Sequence, residues 1–372
     1  VFENCDALTN ITIPDSVTSI GVYAFSDCDA LTNVTIPNSL TSIDRGTFDD
    51  CDALISVTIP DSVTYIGAYA FDGCYDLTSA DIGNSVTSVD IGAFKDCTSL
   101  TSVDMGNSVT SIGDKVFENC DALTNITIPD SVTYIGDFAF NSCSSLTSIT
   151  IPSLVTYIGV GNFVHCNALI NIDVNQNNQN YSSENGILFN KNKTELIQYP
   201  AGKTDNTYII PSSVISIGNC AFEDCNTLTD VTISDSVTSI GEYAFENCTS
   251  LTNMTIPDSV TSIDNFAFEN CSSLTSVIIP DSITSINEGI FESCDSLTSV
   301  TIPNTVTSIG AYSFEDSNAL RNITIPSSVI SVDNDVFRNW NSYQTINIEG
   351  KSSFQDTIDA GWRRSWIFDC YA

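Results

Sequence analysis

Apolar residues return in fixed phase every 23 positions along nearly the whole chain, and the consensus C-x-x-L-T-x-[IV]-T-I-P-[DN]-S-V-T-S-I-G-x-x-A-F-x-x runs almost undamaged through 120–140. Within it Leu8, Ile11 and Ile13, and then Leu31, Val34 and Ile36 one period later, give the L-x-x-I-x-I pattern of a short half-buried strand. Each strand recurs at the same phase, so neighbouring strands must run parallel. Pro14, Pro37, Pro60, Pro129 and Pro257 follow directly and stop the strand, because proline has no N–H for a ladder. Val17 and Ile20 supply a second inward pair on the opposite wall. Phenylalanine fills the next core column, from Phe2, Phe25 and Phe48 to Phe314 and Phe337, and cysteine the one after, at Cys5, Cys28, Cys51, Cys74, Cys97, Cys120, Cys143, Cys166, Cys225, Cys248, Cys271 and Cys294. Such a period means one unit stacked on copies of itself, none able to bury its apolar face alone.

The residue after the second-wall isoleucine is always Gly, Asp or Asn, as at Gly21, Asp44, Gly67, Asp90 and Asn287, which predicts a left-handed turn residue there in every coil. One interruption stands out. Cys166 to Cys225 spans 59 residues, which places 36 extra residues between Asn175 and Ile210, and the runs 186–189 and 195–199 around the polar 190–194 predict a β-hairpin. The expected organisation is repeats over 1–174, a hairpin insertion over 175–210, repeats over 211–340 and a C-terminal cap over 341–372. In that cap 354–366 reads as a short amphipathic helix, and before it Ser317 and Trp340 replace the cysteine. The chain starts in mid-repeat without a signal peptide, so an export signal or anchor is expected outside it.

The pattern L-x-x-I-x-I-P-x-x-V-x-x-I-G-x-x-A-F-x-x-C resembles the BspA-like class of leucine-rich repeats, and the segment N-Y-S-S-E-N-G-I-L-F-N-K-N-K-T-E-L-I-Q-Y-P is similar to a hairpin variant common in it. The resemblance implies a leucine-rich repeat solenoid: a right-handed coil with a parallel β-sheet on the concave wall and short strand, 3-10 or turn segments on the convex wall. It also implies a surface protein, extracellular or at the cell surface, with roles in adhesion to host, matrix or other cells. The family has no catalytic motif to carry over.

The cysteine ladder reads as a stack of buried free thiols, since the chain has a core and needs no disulfide scaffold; no C-x-x-C pair or cysteine–histidine cluster suggests zinc. Forty-six acids against eleven bases give a net charge of −35, which argues against nucleic acid and against anionic membranes, and no segment is apolar enough to insert in a bilayer. The acids fall in columns, so salt or divalent cations are expected to stabilise the fold. A calcium-loop spacing at Asp173, Asn175, Asn177 and Glu184 lacks the central glycine and flanking helices of an EF-hand. A single histidine, His165, rules out repeated histidine-based chemistry, and the carboxylates lie along ridges with no cleft. No catalysis and no cofactor are expected.

The candidate binding positions are the outward residues of the concave strands: Asn10, Thr12, Asn33, Thr35, Thr58, Asn125, Thr127, Thr150, Thr232, Asn253, Thr255 and Thr301, with Asp81, Asp104, Asp230 and Arg321 breaking the monotony. Large aromatic anchors are missing from that row. A polar array of this kind suits repeated hydrogen bonding to an extended protein or glycan partner. Two rival readings remain: a structural spacer or self-associating layer, and a threonine array that orders ice. The oligomeric state is left open.

Overall fold

The computed structural model describes residues 2–350, and outside the insertion its strands follow the 23-residue period. The chain forms two compact units, Val1–Lys191 with Pro200–Gly202, and Asn192–Tyr199 with Lys203–Ala372. Both are parallel-sheet solenoids, and among the described residues there is no helix.

In the first unit, strands of three or four residues line one wall: Asn10–Thr12, Asn33–Thr35, Ser56–Ile59, Ser79–Ile82, Ser102–Asp104, Ser148–Ile151 and Asn171–Val174. Their pairing is parallel with a register of one period, for example Asn10 on Asn33 and Thr58 on Asp81. Two-residue strands, from Ser42–Ile43 to Tyr157–Ile158, form a continuous parallel ladder on the opposite wall. The second unit repeats the scheme, with Thr207–Ile209, Asp230–Thr232 and Asn253–Thr255 pairing on the long-strand wall and Ser216–Ile217, Ser239–Ile240 and Ser262–Ile263 on the other. A third side is made of turns, yet its backbone is also paired coil to coil: the amides of Tyr23, Phe25 and Asp27 donate to the carbonyls of Arg45, Thr47 and Asp49 at 2.9–3.1 Å.

The core is columnar. Phe2, Phe25, Phe48, Phe71, Phe94, Phe117, Phe140 and Phe163 stack with centroids 5.1–6.2 Å apart and planes within 16°. In the second unit the stack runs Tyr199, Phe222, Phe245, Phe268, Phe291, Phe314 and Phe337. Each such pair adds about 0.5–1.5 kcal/mol beyond the area it removes from water. The thirteen described cysteines are free, and those of the ladder from Cys28 onward are buried. Their thiols do more than fill space: Cys51, Cys74 and Cys97 donate to the carbonyls of Phe25, Phe48 and Phe71, 26 residues back, at 3.1–3.2 Å. Where the cysteine is replaced, the same bond is kept by the Ser317 hydroxyl to Phe291 at 3.0 Å and by the Trp340 indole to Phe314 at 2.8 Å.

Three expectations change. The left-handed residues are not in the Gly/Asp/Asn column; they lie two positions later, at Tyr23 (φ 55°), Gly46 (59°), Tyr69 (58°) and Phe138 (56°), and again just before the cysteine, at Asp27, Asp50 and Asp96. The glycine column has a different cause, which is close approach: a Cβ on Gly67 would lie 2.7 Å from the Arg45 amide nitrogen of the preceding coil, whereas at Gly21 it would meet nothing within 4 Å.

Second, the long interval holds a whole coil that its sequence disguises. Thr207–Ile209 pairs in register with Asp230–Thr232, 23 residues on, and Tyr199 occupies the phenylalanine column. Gly202 stands one period before Cys225 and takes the place of a cysteine. The true excess is therefore confined to the 36 residues from Asn171 to Thr207, 13 more than one period.

Third, that excess begins with a strand the pattern did not flag. Both expected strands form, Ile187–Asn190 and Glu195–Gln198, with the division between the units in the turn that joins them. Ile187–Asn190 also pairs antiparallel with Tyr181–Glu184 across Asn185–Gly186, whose successive φ values of 52° and 78° make the tight turn that Asn-Gly favours. The expected helix at 354–366, with most of the cap, lies outside the described residues.

Candidate recognition surface

Strand alternation sends one residue inward and the next to solvent. Asn10, Thr12, Asn33, Thr35, Thr58, Asp81, Asp104, Asn125, Thr127 and Thr150 are all exposed on the long-strand wall of the first unit, and Asp230, Thr232, Asn253, Thr255, Thr301 and Arg321 on that of the second. Their columns differ in kind. The threonine that precedes each strand is a buttress: the hydroxyls of Thr32, Thr78, Thr101 and Thr147 donate to the carbonyls of Thr9, Ile55, Thr78 and Thr124 at 3.0–3.2 Å. A matching threonine spine, Thr64, Thr87, Thr110, Thr133 and Thr156, does the same on the short-strand wall. The asparagines lean back on the first spine, with the Nδ2 groups of Asn33, Asn125 and Asn253 donating to Thr32, Thr124 and Thr252 at 3.1–3.2 Å. Much of the hydroxyl and amide array read from the sequence is thus engaged in holding coils together. A ligand, or an ice lattice, meets a sparser surface: the outer threonines and the residues that depart from the repeat.

Some of those departures are apolar, with Ile209 72% and Ile278 70% exposed in the outward threonine column, and others are charged. Asp81 and Asp104 stand on neighbouring strands in the same outward column, and Asp104 lines a shallow cavity of about 550 Å³ with Met105, Gly106, Thr127 and Asp130. Met105 and Gly106 take the places of isoleucine and proline in the consensus, and Gly106 adopts a positive φ of 60°. In the second unit Asp230 sits between Thr207 and Asn253, and Arg321 replaces a spine threonine.

The hairpin is seated by a residue that its polar composition concealed. Asn178 is fully buried; its Nδ2 donates to the carbonyls of Pro152 and Val155 at 2.7 and 3.0 Å, and its Oδ1 accepts from the amides of Asn180 and Tyr181 at 2.8 Å. The calcium-like set is placed on this strand–turn–strand segment. The Asp173 carboxylate accepts from Asn171 at 2.5 Å, Asn175 Oδ1 accepts from the Asn177 amide at 3.0 Å, Asn177 is exposed, and Glu184 faces Ile187 at the hairpin end.

The acids after the phenylalanine form a ridge on the turn side. Burial first, then the neighbouring carboxylates Asp50, Asp72 and Asp27, push Asp49 up to about 7; burial raises Asp72 to about 6, although Lys95 opposes it. In the second unit burial, with Glu269, Glu315 and Asp316 alongside, raises Glu292 to about 7. The ladder thiols of Cys74, Cys97 and Cys120 are held far above the ordinary range by burial, so they remain protonated donors and poor nucleophiles.

Aromatic anchors, absent from the outward positions of the described long strands, turn up on the other wall. Tyr65, Tyr134 and Tyr157 are exposed there, and Tyr134 and Tyr157 stack at 4.9 Å and 8°. The sequence carried the signal, tyrosine in a serine column. No helix among the described residues is long and apolar enough to cross a membrane.

A model of the BspA type leucine rich repeat region matches residues 1–121, 65–194, 201–319 and 286–358. No curated protein sequence matches. Among solved structures, a leucine rich cell surface protein from Faecalibacterium prausnitzii is 33% identical, over 94% of this chain and 90% of that one, with a TM-score of 0.74. A leucine-rich repeat protein from Eubacterium ventriosum is 29% identical, over 82% and 86%, with a TM-score of 0.66. The pneumococcal vaccine antigen PcpA, 24% identical over 96% and 87%, shares the fold with a TM-score of 0.73.

Proposed function

Because the chain belongs to the BspA-type leucine-rich repeat family, we propose that it is a non-catalytic recognition protein of a cell surface, binding a protein partner through the outward positions of its long-strand wall and the tip of its hairpin. The observation that carries this reading is the division of labour on the wall. The spine threonines hold the fold through hydrogen bonds to the previous coil, whereas Asp81, Asp104, Asp230 and Arg321 are exposed and depart from the repeat. Specific recognition needs such non-repeating groups, since a uniform array offers every register equally. The similar cell surface protein from Faecalibacterium prausnitzii supports the location.

The test is a binding screen against matrix proteins and glycans with three versions of the chain. One is unaltered, one carries Asp81→Thr, Asp104→Thr and Arg321→Thr, which restore the repeat, and one carries Glu184→Gln and Asn192→Ser at the hairpin. Binding of a protein that the wall variant loses at unchanged melting temperature supports the long-strand wall; loss in the hairpin variant alone assigns recognition to the hairpin. Equal binding by all three, or binding of glycans only, contradicts the reading.

A further inference from the structure

We infer that the short-strand wall of the first unit carries a second interaction surface, built by Tyr134, Leu154, Tyr157 and Val160 with Asp114 and Asp137, that takes an arginine-bearing segment of a partner protein. The wall is elsewhere mostly serine, threonine and acid, with Tyr65 and Val22 as exposed exceptions in other coils. In the coil 152–160 three outward positions become apolar together: Leu154 is 55% exposed, Tyr157 43% and Val160 48%, and Tyr134 of the preceding coil is 38% exposed. In the neighbouring coils the equivalents of Leu154 are serines, such as Ser108 and Ser131, and the equivalents of Val160 are Asp114 and Asp137. The core residues Val155 and Phe163 are the usual ones, and although Asn162 replaces an alanine and Asn178 of the insertion closes on the Pro152 and Val155 carbonyls, Leu154, Tyr157 and Val160 stay exposed with the insertion in place. Apolar side chains clustered in water mark a contact site more often than chance scatter does.

The carboxylates decide the chemistry of the partner. Asp137 Oδ1 accepts from the Val160 amide at 3.0 Å and from the Tyr157 hydroxyl at 3.4 Å, and Asp114 Oδ1 accepts from the Asp137 amide at 2.9 Å. One oxygen of each aspartate is thereby fixed by the fold, and both carboxylates remain partly exposed. Lys115, the nearby base, turns to Glu118 at 3.3 Å. The two rings are parallel at 4.9 Å and both are exposed. A guanidinium satisfies both features: it lies flat on a tyrosine, pairs with a carboxylate through two N–H groups, and lays its stem on apolar neighbours. Among the described residues the chain itself lays a guanidinium on a tyrosine, with Arg45 5.6 Å over the Tyr69 ring. Lysine lacks the planar fork, and the net charge of −35 draws any cation without selecting one.

This surface faces away from the long-strand wall, so the fate of either assignment leaves the other standing. The experiment titrates the whole chain at 150 mM salt with the peptide acetyl-GRLRGRLRG-amide and its all-lysine counterpart. It is repeated on Y134S/Y157S, which restores the repeat's own serine, and on D114N/D137N, which keeps the Oδ1 acceptors. The expected result is arginine-peptide binding at least tenfold weaker in both variants, with the lysine peptide weaker than the arginine peptide only on the unaltered chain, and with unchanged melting temperatures. Equal affinity for the arginine peptide in Y134S/Y157S, equal affinity for both peptides on the unaltered chain, or no binding at all would overturn the assignment. So would a glycan array bound by the unaltered chain and not by Y134S/Y157S, which would give the surface to a sugar.

Discussion

Replacing Cys97 separates two roles that a buried thiol plays at once. Its side chain is fully buried, and its Sγ donates to the Phe71 carbonyl of an earlier coil at 3.2 Å. If cysteine were only a small hydrophobe, valine would be the gentlest substitute, alanine intermediate and serine the worst, since serine brings a hydroxyl into the core. The ladder predicts another order. Serine keeps a donor aimed at Phe71, as Ser317 does toward Phe291, and should cost about 1 kcal/mol for the exchange of sulfur for oxygen. Alanine removes both the donor and the volume. An unsatisfied buried carbonyl costs about 1–3 kcal/mol, and the space left by the sulfur adds to that. Valine fills the space but leaves the carbonyl unpaired and crowds the Phe71–Phe94 stack, whose rings are 5.1 Å apart. Urea unfolding of the three variants, followed by circular dichroism, gives the midpoints directly. The account requires serine to lie nearest the unaltered protein; a serine variant less stable than the alanine one would refute the claim that the thiol works as a donor.

The remaining predictions use the same columns. Gly67→Ala forces a Cβ against the Arg45 backbone and should destabilise by about 1–3 kcal/mol, while Gly21→Ala in the same column meets nothing and should be neutral or slightly stabilising; equal losses in thermal melts would restore the left-handed reading of that column. Asp49 and Glu292, raised to about 7, bind a proton more readily folded than unfolded, so stability should rise as pH falls from 7.5 toward 5 and stop rising near 4. At face value the shifts amount to about 4 and 3 kcal/mol, but both carboxyls remain partly open to water, which reduces each to about 1–2 kcal/mol; a melting temperature flat from pH 7.5 to 5 would exclude this. Among the described cysteines Cys5 should react first with a thiol reagent in the native state, and the half-buried Cys220 more slowly because burial and Glu223 raise its thiol, whereas the ladder thiols are buried and protonated; fast modification of Cys97 or Cys120, read by mass spectrometry, would contradict the packing. Raising salt from 50 to 500 mM should raise the melting temperature by screening the acid ridge, and a D49N/D72N variant should lose part of that response.

The period made the fold legible, because stacking requires the same side chain at the same phase and therefore writes itself into the sequence many times over. Phe, Leu and Cys columns, parallel pairing and the proline stop all follow from that repetition. What depends on a single coil was harder to read. Tyr199 and Gly202 conceal a regular coil, since an aromatic ring and a bare glycine replace the two most diagnostic residues. Asn178 looks like one more residue of a polar linker until its amide is seen to close on Pro152 and Val155. The Asn185–Gly186 turn was present as a dipeptide signal but overshadowed by the longer polar run at 190–194. The glycine column misled because two different demands, positive φ and close approach, select the same residue. On the candidate site, exposure of the outward residues followed from strand alternation, whereas the engagement of the spine threonines required knowing where the neighbouring carbonyl lies.

The central claim is that repeating columns hold the coil and departures from the repeat recognise a partner. It is tested most directly by measuring melting temperature and partner affinity side by side for Thr78→Ala and Thr101→Ala in the spine and for Asp81→Thr and Asp104→Thr outside it. The account predicts that the spine pair lowers the melting temperature with affinity kept below the transition, and that the aspartate pair lowers affinity with the melting temperature unchanged or raised. Spine substitutions that abolish binding in a fully folded chain, with aspartate substitutions that bind normally, would contradict it.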